Sequence, residues 1–221
     1  MRTAISVGPQ GDGHALYFGD VGANVYAIDA ETGAELWSRN VESHLGARIT
    51  GAPTLHEGRL YVPVSSIEEA LAANADYGCC TFRGSVVVLD GATGEQIWKS
   101  FTILEEPSPR DTGPDGTTRS GPAGAAIWGA PTIDAERGLV YAATGNAYTQ
   151  PAAETSDAIV AFDIDTGEIR WFNQLTPADA FIVGCGGNNP NCPDDEGPDH
   201  DFGASPALVT MTNGDDLLVI G

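Results

Sequence analysis

Four cysteines stand in two close pairs, the adjacent Cys79-Cys80 and the ends of Cys185-Gly-Gly-Asn-Asn-Pro-Asn-Cys192. Neither pair has the Cys-x-x-Cys spacing with which thiolates grip zinc. No Cys-x-x-Cys-His segment occurs to attach haem, so a haem c would belong to sequence outside these residues. Disulfide chemistry remains, and four cysteines allow three connectivities. Adjacent cysteines can close a small ring. The short Gly- and Pro-containing loop of the second pair is expected to be closed by its own bond, Cys185 to Cys192. Both pairs suit an oxidising compartment, which points to the periplasm or the cell exterior.

Oxygen chemistry is far more abundant. Thirty-one Asp and Glu outweigh ten Lys and Arg, a formal charge of −21 over 221 residues. Such a field repels phosphate backbones, so it argues against nucleic acid and favours metal cations and basic proteins. It serves equally as a solubility adaptation to salty surroundings. Taken singly, Glu69 reads as the solvated face of a short helix over Ile67–Asn74, and Asn146, after Thr144-Gly145, as a turn residue. No apolar run approaches the roughly eighteen residues of a membrane span. Met1–Ser6 lacks the apolar core of a secretory signal. At 42% apolar residues the chain can bury a sizeable core.

The elements that carry these residues show in a phrase used three times. Val25-Tyr-Ala-Ile-Asp29-Ala-Glu-Thr32-Gly33-Ala-Glu-Leu-Trp37 matches Val86-Val-Val-Leu-Asp90-Gly-Ala-Thr93-Gly94-Glu-Gln-Ile-Trp98 and Ile159-Val-Ala-Phe-Asp163-Ile-Asp-Thr166-Gly167-Glu-Ile-Arg-Trp171. The apolar runs read as buried strands, Asp-x-x-Thr-Gly as a tight hairpin turn, and the next strand ends in Trp. Asp163-Ile-Asp-Thr-Gly167 has a faint look of a calcium loop but is this repeat turn. A second phrase alternates with the first: Gly51-Ala-Pro53-Thr, Gly129-Ala-Pro131-Thr and Gly203-Ala-Ser-Pro206, each opening a strand. Four strands per unit at this period make β-propeller blades, over roughly 3–41, 49–102 and 124–175, with half a blade from 203. Trp37, Trp98 and Trp171 are expected to seal adjacent blades, whereas Trp128 stands outside the pattern. About three and a half blades cannot close a ring of four to eight, so the chain is expected to start and end inside a longer propeller. The long segments 65–84, 103–123, 144–157 and 176–202 read as functional loops.

These Trp-terminated blades resemble the quinoprotein alcohol dehydrogenases. That resemblance implies an all-β, partial β-propeller of the eight-bladed quinoprotein type, holding pyrroloquinoline quinone (PQQ) and calcium on its axis. It implies hydride transfer from an alcohol substrate to the quinone and electrons passed to a c-type cytochrome, for which the acidic surface suits a basic partner. The fragment alone is expected to be inactive. By matched motifs, Thr50 of Ile49-Thr-Gly-Ala-Pro53 and Ser66 of Ser65-Ser-Ile-Glu-Glu69 would bind the cofactor, and Glu69 would bind calcium. Trp128 would lie flat against the quinone, and Asn146, eighteen residues on, would supply an amide oxygen to calcium. Arg2 falls where the family has a cofactor-binding Arg-Gly, although Thr3 follows it here. The family also carries a vicinal disulfide, one blade earlier than Cys79-Cys80. The same repeat occurs in non-catalytic propellers that serve as binding and assembly scaffolds, the alternative function.

The family's catalytic base lies three residues beyond a Thr-Pro-x-Asp phrase. Here Thr176-Pro-Ala-Asp179 is followed at that distance by Ile182, which accepts no proton. Asp201-Phe-Gly-Ala204 resembles the family stretch that begins with the base, so a 19-residue insertion carrying Cys185 and Cys192 would separate the two halves. Asp201 is therefore the expected base and a further calcium ligand, with Asp199 and Asp179 as alternatives.

Overall fold

The structure, a computed structural model, describes residues 3–112, 116–185, 187 and 189–221. Strands β1 (Ser6–Gln10), β2 (Gly13–Gly19), β3 (Asn24–Asp29) and β4 (Glu35–Asn40) form the first antiparallel blade in chain order. The second has β5 (Ala47–Arg48) and β6 (Thr54–His56) on opposite ends of β7 (Arg59–Ser66), then β8 (Ser85–Asp90) and β9 (Gln96–Phe101). Strands β12 (Thr132–Asp134), β13 (Leu139–Ala143), β14 (Ala158–Asp163) and β15 (Ile169–Gln174) make the third, and β16 (Ala207–Thr210) pairs β17 (Asp216–Val219) in the half blade. The helix is shorter than expected, α1 (Glu68–Leu71). The segment 103–123, read as a loop, holds a separate hairpin of β10 (Ser108–Thr112) and β11 (Thr118–Gly121). Its first strand is wholly exposed, so no apolar alternation marked it.

Period-two geometry explains the unbroken apolar run of β8. Val87 and Leu89 face Val25, Ala27 and Tyr17 of the first blade, while Val86 and Val88 face Val140, Val160 and Phe162 of the third. A strand buried on both faces has no polar positions to alternate. Each fully buried aliphatic contributes about 1.5–3 kcal/mol.

The repeated phrase is a set of local and inter-blade bonds. In each turn one Asp oxygen accepts the Thr N–H and Thr hydroxyl, at 2.7 and 2.7 Å for Asp29, 2.8 and 3.0 Å for Asp90, and 2.9 and 3.0 Å for Asp163. The Gly follows at φ +71 to +74°, which only glycine adopts without strain. Trp37 Nε1–H donates to Gly91 O at 3.0 Å, and Trp98 Nε1–H to Ile164 O at 3.3 Å, the same position one blade on. Trp171 stays 38% exposed. The second phrase also bridges blades: the Pro53, Pro131 and Pro206 carbonyls accept the hydroxyls of Ser6, Thr54 and Thr132, the strand starts of the preceding blades.

Gly94 lies against the Trp37 ring, where a Cβ would collide. Gly94→Ala in the full-length protein is expected to cost more than the roughly 1–2 kcal/mol of a left-handed alanine, because the methyl also displaces Trp37. Chemical denaturation measures the difference.

Candidate functional site

Three loops are joined by backbone hydrogen bonds, and the second and third pass Trp128. The first leaves β7 at Ser66, whose Oγ accepts the Glu68 N–H at 2.8 Å and starts α1. The adjacent glutamates then part. Glu68 is fully buried and its carboxylate accepts Tyr77 O–H at 2.9 Å, Thr81 N–H at 2.9 Å and Phe82 N–H at 2.8 Å. His44 Nδ1 takes the Gly46 N–H at 3.0 Å, so Nε2 carries the ring hydrogen, 3.3 Å from Glu68. Burial works to raise the Glu68 carboxyl, but His44 and the two backbone donors outweigh it and hold the group low. Among the described residues Glu69 has no such cradle: burial, then the Asp201 and Asp199 carboxylates, push it up to about 7.

The second loop follows β13. Thr144 Oγ1 donates to Thr155 O at 2.7 Å and accepts Ala158 N–H at 3.0 Å, pinning the loop's two ends together. Asn146 is buried, and its Nδ2 donates to Ala147 O at 2.7 Å and Phe181 O at 2.8 Å. Two carbonyl acceptors fix the amide's orientation and leave its oxygen as the end available to a cation. The Asn146 N–H donates to Asp201 Oδ1 at 2.9 Å.

The third loop is the insertion, and its ends rejoin. Asp179 is fully buried, and its carboxylate accepts the N–H groups of Asp199 at 3.3 Å and His200 at 2.9 Å. The two halves of the family phrase, split in sequence, thus meet in space. Asp179 is a clamp rather than a free base. Cys185 and Cys192 are bonded to each other, as expected, and Asn191 Nδ2 ties the loop to the Ala72, Asn74 and Tyr77 carbonyls beyond α1. Phe181 N–H donates to Ala147 O, and Val183 N–H to Glu69 O, so the insertion spans the first two loops.

Trp128 lies along two glycines. A Cβ on Gly145 would run into its six-membered ring and into Asp201 Oδ1; one on Gly203 would strike Nε1. The indole is half-buried, with glycine the only residue that lets it lie there. Asp201 is exposed in this chain; partial burial raises its carboxyl, the Asn146 N–H opposes the rise, and Asp199 and Asp179 add to it.

Asn146 and Asp201 are hydrogen-bonded beside Trp128, and the Asp201 carboxylate acts on Glu69 through its charge. Thr50 Oγ1 lies 2.9 Å from Ser65 Oγ, and Ser66 is engaged in starting α1, so both have protein partners already. Arg2 lies outside the described residues. Cys79 and Cys80 are bonded to each other but buried in the core, with Cys80 N–H on Ser120 O of β11. Cys185, Cys192 and Glu196 form a compact group of metal-ligand types, yet both sulfurs are spent on the disulfide. Sequence reasoning missed Tyr148 and Asp157. Tyr148 is raised well above the ordinary phenol range by burial, then by Glu69 and Glu68, with Ser66 as hydrogen-bond partner. Their signal was weak, a lone Tyr and a lone Asp inside a loop.

A blade sheet of this kind with an acidic, indole-floored loop cluster defines a class. Residues 49–183 match the model of the glucose/ethanol/alcohol dehydrogenase β-propeller domain, and the chain belongs to that family. Residues 1–83 also match the outer membrane protein assembly factor BamB model. The chain is 46% identical to a polyvinylalcohol dehydrogenase of Pseudomonas sp. and 42% identical to one of Sphingopyxis sp. (strain 113P3), in each case over 94% of its length. It spans about a third of those relatives, 32% of each. Among solved structures, the quinohemoprotein alcohol dehydrogenase of Comamonas testosteroni shares its fold at TM-score 0.60 and 24% identity, over 93% of this chain and 30% of that one. A europium-containing methanol dehydrogenase does so at TM-score 0.64 and 22% identity, over 97% and 37%.

Proposed function

We propose that this chain is part of the catalytic propeller of a PQQ- and calcium-dependent alcohol dehydrogenase of the periplasm or cell exterior. The observation that carries this is the Asn146 N–H on Asp201 Oδ1 beside an indole laid on two glycines, with the Asp201 charge acting on Glu69. The residues fit both groups. A carboxylate and an oriented amide oxygen are hard ligands of the kind calcium takes, and Trp128 offers a flat apolar face to a planar quinone. When bound, the quinone would supply a hydride acceptor and the cation a Lewis acid.

The chain's residues do the rest. Glu69 and Asn146 would hold the cation, with Asp201 as a further ligand, and Thr50, Ser66 and Arg2 would bind the quinone's polar edge. Asp201 takes the alcohol's hydroxyl proton. Its Oδ1 is held by the Asn146 N–H, which keeps the carboxyl oriented and leaves Oδ2 to accept. Asp179 keeps the Asp199-His200 backbone, and so Asp201, in place. Names of the relatives point to alcohols borne on a polymer as substrates, and a c-type cytochrome would take the electrons, steered by opposite charge.

The test is to add PQQ and calcium to the full-length protein and follow dye reduction with primary, secondary and polymeric alcohols. Reduction that requires both additions supports the proposal; none with any alcohol returns the chain to the scaffold function. Gly203→Ala is expected to weaken quinone binding at least tenfold by displacing Trp128, read by absorbance titration, while the melting temperature changes little.

A further inference from the structure

Asp157 lies in the 144–157 loop, outside the repeated phrases and the matched motifs. Its N–H donates to Gly145 O at 3.0 Å, and the next pair is closed by Thr144 N–H on Ala158 O at 2.9 Å. It therefore stands across from Gly145, the residue whose side faces Trp128 and Asp201. Its side chain is fully buried, and both carboxyl oxygens are without a hydrogen-bond partner among the described residues. Its backbone sits at φ +48°, a conformation that strains any residue with a Cβ. A buried, unpartnered carboxylate on a strained backbone is costly in two ways, and such costs gather at functional sites.

The neighbours say what would relieve it. Burial, then Asp179, Asp201 and Asp199, push the carboxyl up to about 8, so the groups that act on it are themselves carboxylates. A further donor would answer the missing hydrogen bond but leave the crowded negative charge. A cation answers both. Asp157, Asp201 and Glu69 do not converge within 4.8 Å, so Asp157 is not a corner of a compact carboxylate triad. It acts across a gap.

We propose that Asp157 is a further anionic group of the axial cation site, holding the ion through its field and bridging water while Glu69 and Asn146 bind it directly. This rests on the proposed function. Its effect is on cation affinity, because an outer group of a metal site typically contributes 10–100-fold.

Calcium is titrated calorimetrically into the full-length, PQQ-loaded protein and into D157N, with thermal melts of both with and without calcium. The expected result is a Kd at least tenfold higher in D157N and a smaller calcium-induced rise in Tm. Without calcium, D157N melts at or above the wild-type temperature, since an uncompensated acid has been removed. Asp157→Gly, which also relieves the left-handed strain, should show the same loss of affinity. A D157N Kd within twofold of wild type overturns the inference, as does a calcium-free Tm well below wild type with unchanged affinity. If the wild-type protein itself binds no calcium, the proposed function falls and not only the role of Asp157.

Discussion

Asp201→Asn in the full-length protein is expected, from the role of base proposed for it, to lower kcat by about 10²–10⁴-fold, the range in which a positioned base contributes. The amide oxygen of Asn still accepts the Asn146 N–H, so the loop contact made at 2.9 Å survives and the melting temperature should hold. Steady-state dye reduction and a thermal melt on one preparation check both halves. Near-normal turnover would sink the assignment and move suspicion to Asp199, which is exposed and raised by burial and by Asp179. Asp179 is the poorer substitute, because its two oxygens are occupied by the Asp199 and His200 amides.

The neighbouring glutamates should separate cleanly. Glu69→Gln is expected to raise the calcium Kd by about 10²-fold or more, removing a ligand charge, with little change in stability. Glu68→Gln is expected to cost about 3 kcal/mol of stability, since its amide would turn donors toward the Thr81 and Phe82 N–H groups. Calcium titration and urea denaturation of both variants give the comparison. If Glu68→Gln abolishes calcium binding at unchanged stability, the two roles have been assigned the wrong way round.

The blades were legible because their information is local. Asp29, Asp90 and Asp163 bond to residues two and three positions on, and the glycine that follows is dictated by its φ. The tryptophans then fall at a fixed register, opposite Ala27, Val88 and Ala161, so their spacing already carried the blade contact. The Cys185–Cys192 bond was equally local. The hairpin of β10 and β11 was not, because exposed polar strands leave no period to read.

The site divides along the same line. Sequence alone determined the repeated phrases and the acidic charge, and through matched motifs it singled out Glu69, Trp128, Asn146 and Asp201 for the roles proposed above. Only the tertiary structure decided which glutamate faces the acidic cluster and which supports the Cys79-Cys80 loop, since both sit on one turn of α1. It also showed that Asp179 closes a 19-residue excursion and that the Asp157 carboxyl oxygens have no hydrogen-bond partner among the described residues. The reason is distance along the chain. The Asn146–Asp201 bond joins residues 55 apart, and such a pairing leaves no mark in the residues near either end.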